Sequence, residues 1–476
     1  MRQLLTILLL VSALYLSAQS EVRLAFTGEV NVGNSYGSHS ERPLDATHLF
    51  ANVSSHLKAA NVAFGTLGTV LIDIDGTPNR ANLIGSHKLI RVSEEYSTAL
   101  REAGFTALSL ANSHVADFGI EGMQTTMNSM RRAGIEFAGL KAMQDYHTFE
   151  RDGLKYGFIA FGTSVHTLSM ADSTLIHNMV AGLADQCDIV VVAFSLNETM
   201  GTLHTGHTPT RISTYMQQAT SFAHTCVNAG ADIVYGNGLG HPLPLELYKD
   251  RLIIYGLGNF CTPYGVSYTG ELGAAPLADV RLFADGTFKS AQIVSFRQAN
   301  NTGPAADPSH EAARVIKAMT ERHFPKTELK AEDDGTITST SESPYALAMR
   351  MLTEAERHRG KRYMMGSTGP NTFDCSGFTS YVFAKFGIKL HRMSAAQYTQ
   401  GHSIDKKELR PGDLVFFTRS SVRGVGHVGI VYSVDKRRGS FKFIHASVSK
   451  GITIDDFASS AYYIKRYVGA RRILPD

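Results

Sequence analysis

Tryptophan is absent from this chain of 476 residues, cysteine occurs only four times, and neither sign of charge prevails. Each shortage excludes something. The missing tryptophan disfavours a sugar-binding cleft built on tryptophan platforms, and leaves 19 Tyr and 25 Phe to carry the aromatic load. A formal net charge of +3 at pH 7 lacks the basic excess or stripe of a dedicated nucleic-acid binder, so no nucleic-acid partner is expected. Beyond the N-terminal residues no stretch is long and apolar enough to cross a bilayer. No internal repeat of solenoid period is evident. Four cysteines make a poor disulfide framework. Cys187, Cys226 and Cys261 lie in apolar contexts and read as small buried residues, with at most one bridge among them.

What is present is the composition of a soluble globular protein, 43% apolar and 19% charged. The length exceeds one ordinary core, so two or more domains are expected. Residues 1–20 read as a secretory signal: Arg2 supplies the positive charge, residues 4–16 the apolar region, and Ala18-Gln19-Ser20 a small-x-small cleavage site. No cysteine follows the apolar region, which argues against a lipoprotein anchor. The expectation is an exported chain, periplasmic or at the cell surface, with no stable membrane insertion after cleavage. Residues 21–297 alternate short apolar strands with helices that end in glycine stops at Gly104, Gly134 and Gly230. That rhythm predicts a layered α/β domain with functional loops at its strand ends. Residues 298–343, rich in Asn, Gly, Pro, Ser and Thr, read as a linker with one short helix. Residues 344–476 place helices first and four or five short strands after, an α+β domain.

In that last segment Asp374-Cys375-Ser376-Gly377 opens an apolar helical run. Asp374 is a good N-cap, which sets Cys375 in the first helical turn. There the thiolate is favoured, and the unpaired backbone N–H groups can receive an oxyanion. His427 and His445 fall on two strand patterns equidistant from Lys436. A hairpin centred there makes them cross-strand neighbours, directly or diagonally. Nucleophile, base and orienting group are the parts of acyl transfer through a thioester. Taken singly, a buried cysteine is more often a core residue, and a strand histidine a satisfied polar group. The joint pattern carries the reading.

Residues 345–473 resemble the NlpC-type family of cell-wall cysteine peptidases. The matching pieces are Gly360-Lys361-Arg362-Tyr363, Phe373-Asp374-Cys375-Ser376-Gly377-Phe378, His391-Arg392-Met393-Ser394-Ala395-Ala396-Gln397, Leu409-Arg410-Pro411-Gly412-Asp413-Leu414-Val415-Phe416, Gly426-His427-Val428-Gly429-Ile430 and Phe443-Ile444-His445-Ala446-Ser447. The resemblance implies a papain-like α+β fold that works without a cofactor. It implies hydrolysis of peptidoglycan stem peptides, commonly between γ-D-Glu and a diamino acid. Cys375 would be nucleophile, His427 base and then acid, and His445 the orienter. Tyr363 matches a position near the oxyanion, while Asp374, Ser376, Arg392 and Ser394 match groove-lining positions. Met364-Met365-Gly366 departs from the family, where an aromatic and paired glycines are usual.

Residues 22–297 resemble CapA-type proteins of poly-γ-glutamate synthesis, whose fold is related to the metallophosphatases. Matching pieces include residues 27–33, 110–119, 230–236 and 252–260. A two-metal centre needs oxygen ligands and imidazoles converging on the strand ends. Here the usual aspartate of the first loop is Glu29, the family's Asn-Leu-Glu is Thr66-Leu67-Gly68, and a family histidine position is Ser195. Asn112, His114, Asp117 and an out-of-register His241 remain. The expectation is a degenerate site with no metal, used to bind a glycan or peptide. The alternatives are a remodelled metal site using Glu29, His114 and His241, or Asn112 and His114 merely capping a helix and satisfying loop backbone. For the whole chain the leading expectation is an exported peptidoglycan peptidase. A surface binding protein with an inactive peptidase-like domain and a CapA-like polymer-handling enzyme are the competing readings.

Overall fold

Strand Glu21–Val30 runs inside a sheet, with Val62–Leu67 parallel on one side and Ala274–Phe283 antiparallel on the other. The computed structural model describes residues 21–35, 46–73, 89–196, 209–263, 268–299, 302–418, 424–436 and 438–475. The expected signal segment, 1–20, lies outside them. The chain divides into two units, Met1–Ser341 and Glu342–Asp476.

In the first unit the sheet runs Leu329–Ala331, Thr336–Ser339, Phe288–Arg297, Ala274–Phe283, Glu21–Val30, Val62–Leu67, Ala107–Ser109, Glu136–Ala138, with Asn259–Cys261 attached to Glu21–Val30. A second sheet centres on the parallel strands Leu154–Gly162, Ile189–Ser195, Ile233–Asn237 and Arg251–Ile254. Ile189–Ser195 is buried at every position, as expected of a parallel strand covered on both faces. One core cluster joins the two sheets. Phe26 stacks on Phe64 at 5.2 Å, and Phe158 and Tyr235 from the second sheet close on them at 5.2 and 5.0 Å. Helices Tyr96–Ala103 and Gly119–Ala133 bury their apolar faces against the first sheet, and Ser173–Ala184 and Pro209–Asn228 against the second. Gly104 and Gly134 end the first two helices in the left-handed conformation, φ 114° and 67°, which glycine adopts without a Cβ penalty. The C-terminal ends of Glu21–Val30, Val62–Leu67, Ile189–Ser195 and Ile233–Asn237 therefore carry the loops where polar groups gather.

Residues 298–343 are not a linker. Ala305–Ala306 and Thr336–Ser339 pair with Phe288–Arg297, and Leu329–Ala331 pairs with Thr336–Ser339. Helix Glu311–His323 buries Ala312, Ala313, Ile316 and Met319. Ala313, Ile316, Leu329 and Ile337 enter the core between the sheets. A sheet edge and a one-sided helix need only these few apolar anchors, so a polar average composition hides them.

The second unit holds a six-stranded antiparallel sheet, ordered His402–Ile404, Tyr467–Arg472, Leu414–Thr418, Val425–Asp435, Ser440–Ser447, Gly451–Asp456. Helices Pro344–Glu356 and Cys375–Ala384 precede it, and the second packs on Val425–Asp435 and Ser440–Ser447. Helices followed by an antiparallel sheet is the α+β order that the sequence predicts. A helical turn precedes the strand Tyr467–Arg472. Ser460 caps a helical turn, Ala461–Ile464, by accepting from the Tyr463 N–H, and the strand begins at Tyr467.

A buried ion pair ties this sheet together. Arg472 Nε and Nη2 donate to the two oxygens of Asp413 at 3.0 Å each, and Asp413 also accepts the Arg410 N–H. Burial raises the Asp413 carboxyl, with Arg472 opposing. Removing one partner strands a buried charge at a cost of about 3–5 kcal/mol, whereas replacing both with apolar groups costs far less. Urea unfolding of Arg472→Met should show that loss in the second unit, and Asp413→Leu/Arg472→Met should recover most of it. A double variant no better than the single one would remove the ion pair as the cause.

Candidate active site

Asp374 stands at the cap of helix Cys375–Ala384 with φ −92° and ψ 175°. Its Oδ1 accepts the Gly377 N–H at 2.6 Å and its Oδ2 the Gly366 N–H at 2.9 Å. Arg392 grips the same carboxylate with two donors, Nη1 to Oδ1 at 3.0 Å and Nη2 to Oδ2 at 2.5 Å. Burial pushes the Asp374 carboxyl up, but Arg392 and the two N–H groups outweigh it and hold the pKa below its ordinary value. The result is an anchored helix start whose first residue is Cys375.

Cys375 is unbridged and 8% exposed. It shares an apolar cluster with Val428, Ile444 and Ala446, the chain neighbours of His427 and His445. Arg392 is raised chiefly by its bond to Asp374, with Cys375 and Tyr363 near enough to add to the effect. Ser376 accepts from Arg392 Nη1 at 3.1 Å. Ser394 opens the short helix Ser394–Gln397, and Tyr363 is half-buried against the same core.

The two histidines meet. His427 Nε2 lies 2.9 Å from His445 Nδ1, with the rings nearly perpendicular at 89°. Ile430 pairs with Ile444 and Val431 with Phe443, so the contact is diagonal, across the position that Gly429 occupies. A Cβ at Gly429 would stand 2.7 Å from the Phe443 ring and 3.1 Å from His445 Cβ. Glycine there lets the two imidazoles approach. His445 is fully buried, and burial lowers its pKa although Asp455 opposes this. It is therefore neutral at pH 7. Phe417 and Tyr463 pack around the pair.

Two contributors escape the sequence reading. Gln397, fully buried, accepts from Thr379 Oγ1 and donates to the carbonyls of Ser376 and His391, tying the segment that carries Arg392 to the nucleophile helix. Asp455 accepts from His445 Nε2 at 3.1 Å. Its signal was strand alternation, since Thr453 pairs with His445 and residue 455 shares the face of 453.

In the first unit, Glu29 pairs across to Thr66 and Asn259. Burial raises its carboxyl, with His114 and Asn31 opposing. A Cβ at Gly68 would meet Glu29 Oε1 at 2.3 Å, so the longer acid fills the space of the side chain absent at 68. His114 Nδ1 faces Asp117 Oδ2 at 2.8 Å. Burial would lower His114, but Asp117, aided by Glu29, raises it. Asn112 accepts the His114 N–H and donates to Leu110 and Leu67 carbonyls, so loop satisfaction is part of its role. His241 Nδ1 faces its neighbour's carbonyl, Pro242 O, at 2.9 Å, and burial lowers its pKa. Among the described residues no three or more His, Cys, Asp or Glu side chains group to hold a metal ion. The donors among the described residues do not fit a two-metal centre. The strand ends carry neutral oxygens instead. Asn237 Nδ2 donates to Thr66 Oγ1 at 2.7 Å, and buried Asn31 Oδ1, Thr69 Oγ1, Ser195 Oγ, Asn237 Oδ1 and Thr262 Oγ1 have no protein partner among the described residues.

Residues 23–264, just over half the chain, match the family described as bacterial capsule synthesis protein PGA_cap, and the chain belongs to that family. Residues 360–472 match the NlpC/P60 family. The chain is 45% identical over 123 residues to the probable endopeptidase p60 of Listeria welshimeri, covering 26% of this chain and 22% of that one. It is 36% identical over 126 residues to the murein DD-endopeptidase MepS/murein LD-carboxypeptidase of Escherichia coli K12, covering 26% and 62%. To the gamma-DL-glutamyl hydrolase of Bacillus subtilis 168 it is 35% identical over 128 residues, covering 26% and 30%. The chain thus spans about a fifth of the length of the Listeria relative that it matches.

Gly429→Ala should force Phe443 and His445 away from the strand. Overpacking of this kind costs about 1–3 kcal/mol. Alkylation of Cys375 by iodoacetamide, followed by mass spectrometry of its peptide, should slow at pH 7 in the folded variant. An unchanged rate would show that the His427–His445 approach does not depend on this glycine.

Proposed function

We propose that the chain is an exported cell-wall hydrolase that cleaves peptide stems of peptidoglycan, at the bond between γ-D-Glu and the diamino acid. The observation that carries this reading is the 2.9 Å contact of His427 with His445, beside a capped helix that begins at Cys375. The match of residues 360–472 to NlpC/P60 supports the reaction class. Export rests on the signal pattern of residues 1–20.

His427 presents Nε2 to His445, so the base toward the thiol is Nδ1. It takes the Cys375 proton as sulfur adds to the amide carbon. The oxyanion is received at the helix start and near Tyr363, where unpaired N–H groups act at full strength in a water-poor site. Collapse breaks the C–N bond, and the imidazolium returns its proton to the leaving amine. Water then enters with His427 as base, cleaves the thioester and restores the thiol. Arg392, Ser376 and Ser394 line the groove, with Asp374 fixing Arg392. In this reading the first unit holds substrate through the neutral oxygens at its strand ends. A metal-dependent role there finds no matching donor set among the described residues.

A second substrate has a specific observation in its favour. One relative is named a gamma-DL-glutamyl hydrolase, and the first unit belongs to a capsule-synthesis family. A γ-linked glutamate polymer offers the same γ-amide as the stem.

Purified full chain and Cys375→Ala should be incubated with defined muropeptides and, separately, with poly-γ-glutamate. Mass spectrometry should show new γ-D-Glu termini from the first protein and almost none from the second. Equal release by both would sink the assignment to Cys375, and cleavage of the polymer alone would move the substrate to the second reading. Acid should also inactivate the enzyme. As pH falls through the lowered pKa of His445, a proton on its Nδ1 opposes the Nε2–H of His427, so this loss should lie below the ordinary histidine value of 6.5. A loss of turnover traced to His445 above that value would contradict the neutral, buried imidazole.

A further inference from the structure

Three adjacent strands each place one titratable group in a single line. His427 lies on Val425–Asp435, His445 on Ser440–Ser447 and Asp455 on Gly451–Asp456. The links are His427 Nε2 to His445 Nδ1 at 2.9 Å and His445 Nε2 to Asp455 Oδ2 at 3.1 Å. The other Asp455 oxygen takes Lys450 Nζ at 2.9 Å. The Tyr463 hydroxyl stands 3.5 Å from His445 Nε2, and Phe443 covers the His445 ring. The helix that begins at Cys375 packs over the two strands that carry the histidines.

We propose that Asp455 is a positioning residue for the Cys375 chemistry, one that fixes the proton order of the whole line by holding the His445 proton on Nε2. Donor and acceptor capacity fixes the proton order along the line. A neutral imidazole carries one N–H and one lone pair, and the bond at one nitrogen decides the other. An ionised carboxylate can only accept, so His445 Nε2 must donate. His445 Nδ1 then has only a lone pair, so His427 Nε2 must donate to it. His427 Nδ1 is left as the basic nitrogen. Without Asp455, His445 can place its proton on Nδ1, which turns the His427 ring into the tautomer that cannot take a thiol proton. Burial reinforces the order, because a doubly protonated His445 would be a charge in an apolar site. Asp455 itself stays ionised across the working range, its pKa drawn down to about 2 first by the bond to His445.

This rests on the reading of Cys375 as nucleophile, so its test needs a signal that does not require turnover. In full chain labelled with 15N-histidine, His445 should show a protonated Nε2 and an unprotonated Nδ1 at pH 7. Asp455→Ala should shift that pattern toward the other tautomer, and Asp455→Asn, whose Oδ1 still accepts, should retain it. On a defined muropeptide, Asp455→Ala should lower kcat about ten- to a hundredfold with KM little changed, the scale of losing a group that orients a functional imidazole. Asp455→Asn should recover most of the rate. If the alanine variant does not fold, the asparagine variant and the wild-type spectrum still decide. A wild-type His445 protonated at Nδ1, or an alanine variant with unchanged tautomer and kcat, overturns the proposal. A correct tautomer in a protein with no Cys375-dependent turnover overturns the nucleophile reading instead.

Discussion

One buried carboxylate, Asp374, closes the helix at Cys375, holds the loop at Gly366 and binds Arg392 with both oxygens. Its individual bonds are modest. An N-cap contributes about 1 kcal/mol, and an ion pair with a half-exposed arginine about 0.2–1 kcal/mol. What depends on them is placement. The cap sets where the helix begins, hence which N–H groups face the sulfur, and the same oxygens set where the guanidinium lies. Because one group serves both, the distance between nucleophile and cation is fixed by a single anchor. Gln397 adds a second tie between the same two segments from beneath.

The second unit was the more legible part, and the reason is local. An aspartate before Cys375 and a turn centred near Lys436 are short-range signals, and each specifies geometry within a few residues. The sequence places His427 and His445 together but leaves the contact direct or diagonal; the turn lies between Asp435 and Ser440, and the pairing of Ile430 with Ile444 makes it diagonal. Asp455 is marked only by strand alternation on a third strand, so it becomes legible once the pairing of Thr453 with His445 is known. The misread linker shows the opposite limit. Thr336–Ser339 is polar on one side because it lies near a sheet edge, and only Ile337 reports the core.

The first unit gathers mostly uncharged polar groups at its strand ends. Glu29 and Gly68 are complementary in volume, the acid reaching into the space a side chain at 68 would need. Burial raises the Glu29 carboxyl above its ordinary value, with His114 and Asn31 opposing. Ser195 and Asn237 pair at the ends of neighbouring strands in the second sheet, and Asn237 donates to Thr66 near the end of its strand in the first. Hydroxyls and amides at these strand ends are hydrogen-bonding groups rather than the charged oxygens and imidazoles that a divalent cation prefers.

On the proposed reading the substrate places a demand of its own on the second unit. A γ-glutamyl linkage leaves the α-carboxyl free beside the scissile amide, so a hydrolase for it must accommodate an anion near the nucleophile. Arg392 is the cation near Cys375, yet Asp374 already neutralises most of its charge. Recognition by such a pair works through the direction of the guanidinium donors that remain, since arginine has five and Asp374 engages only part of them. Direction discriminates where net charge cannot: an α-carboxylate set by the γ-linkage is accepted, while an ordinary α-peptide presents its side chain at another angle. The paired acid is thus consistent with an anionic substrate, because it exchanges long-range attraction for geometric selectivity at the bond that Cys375 attacks.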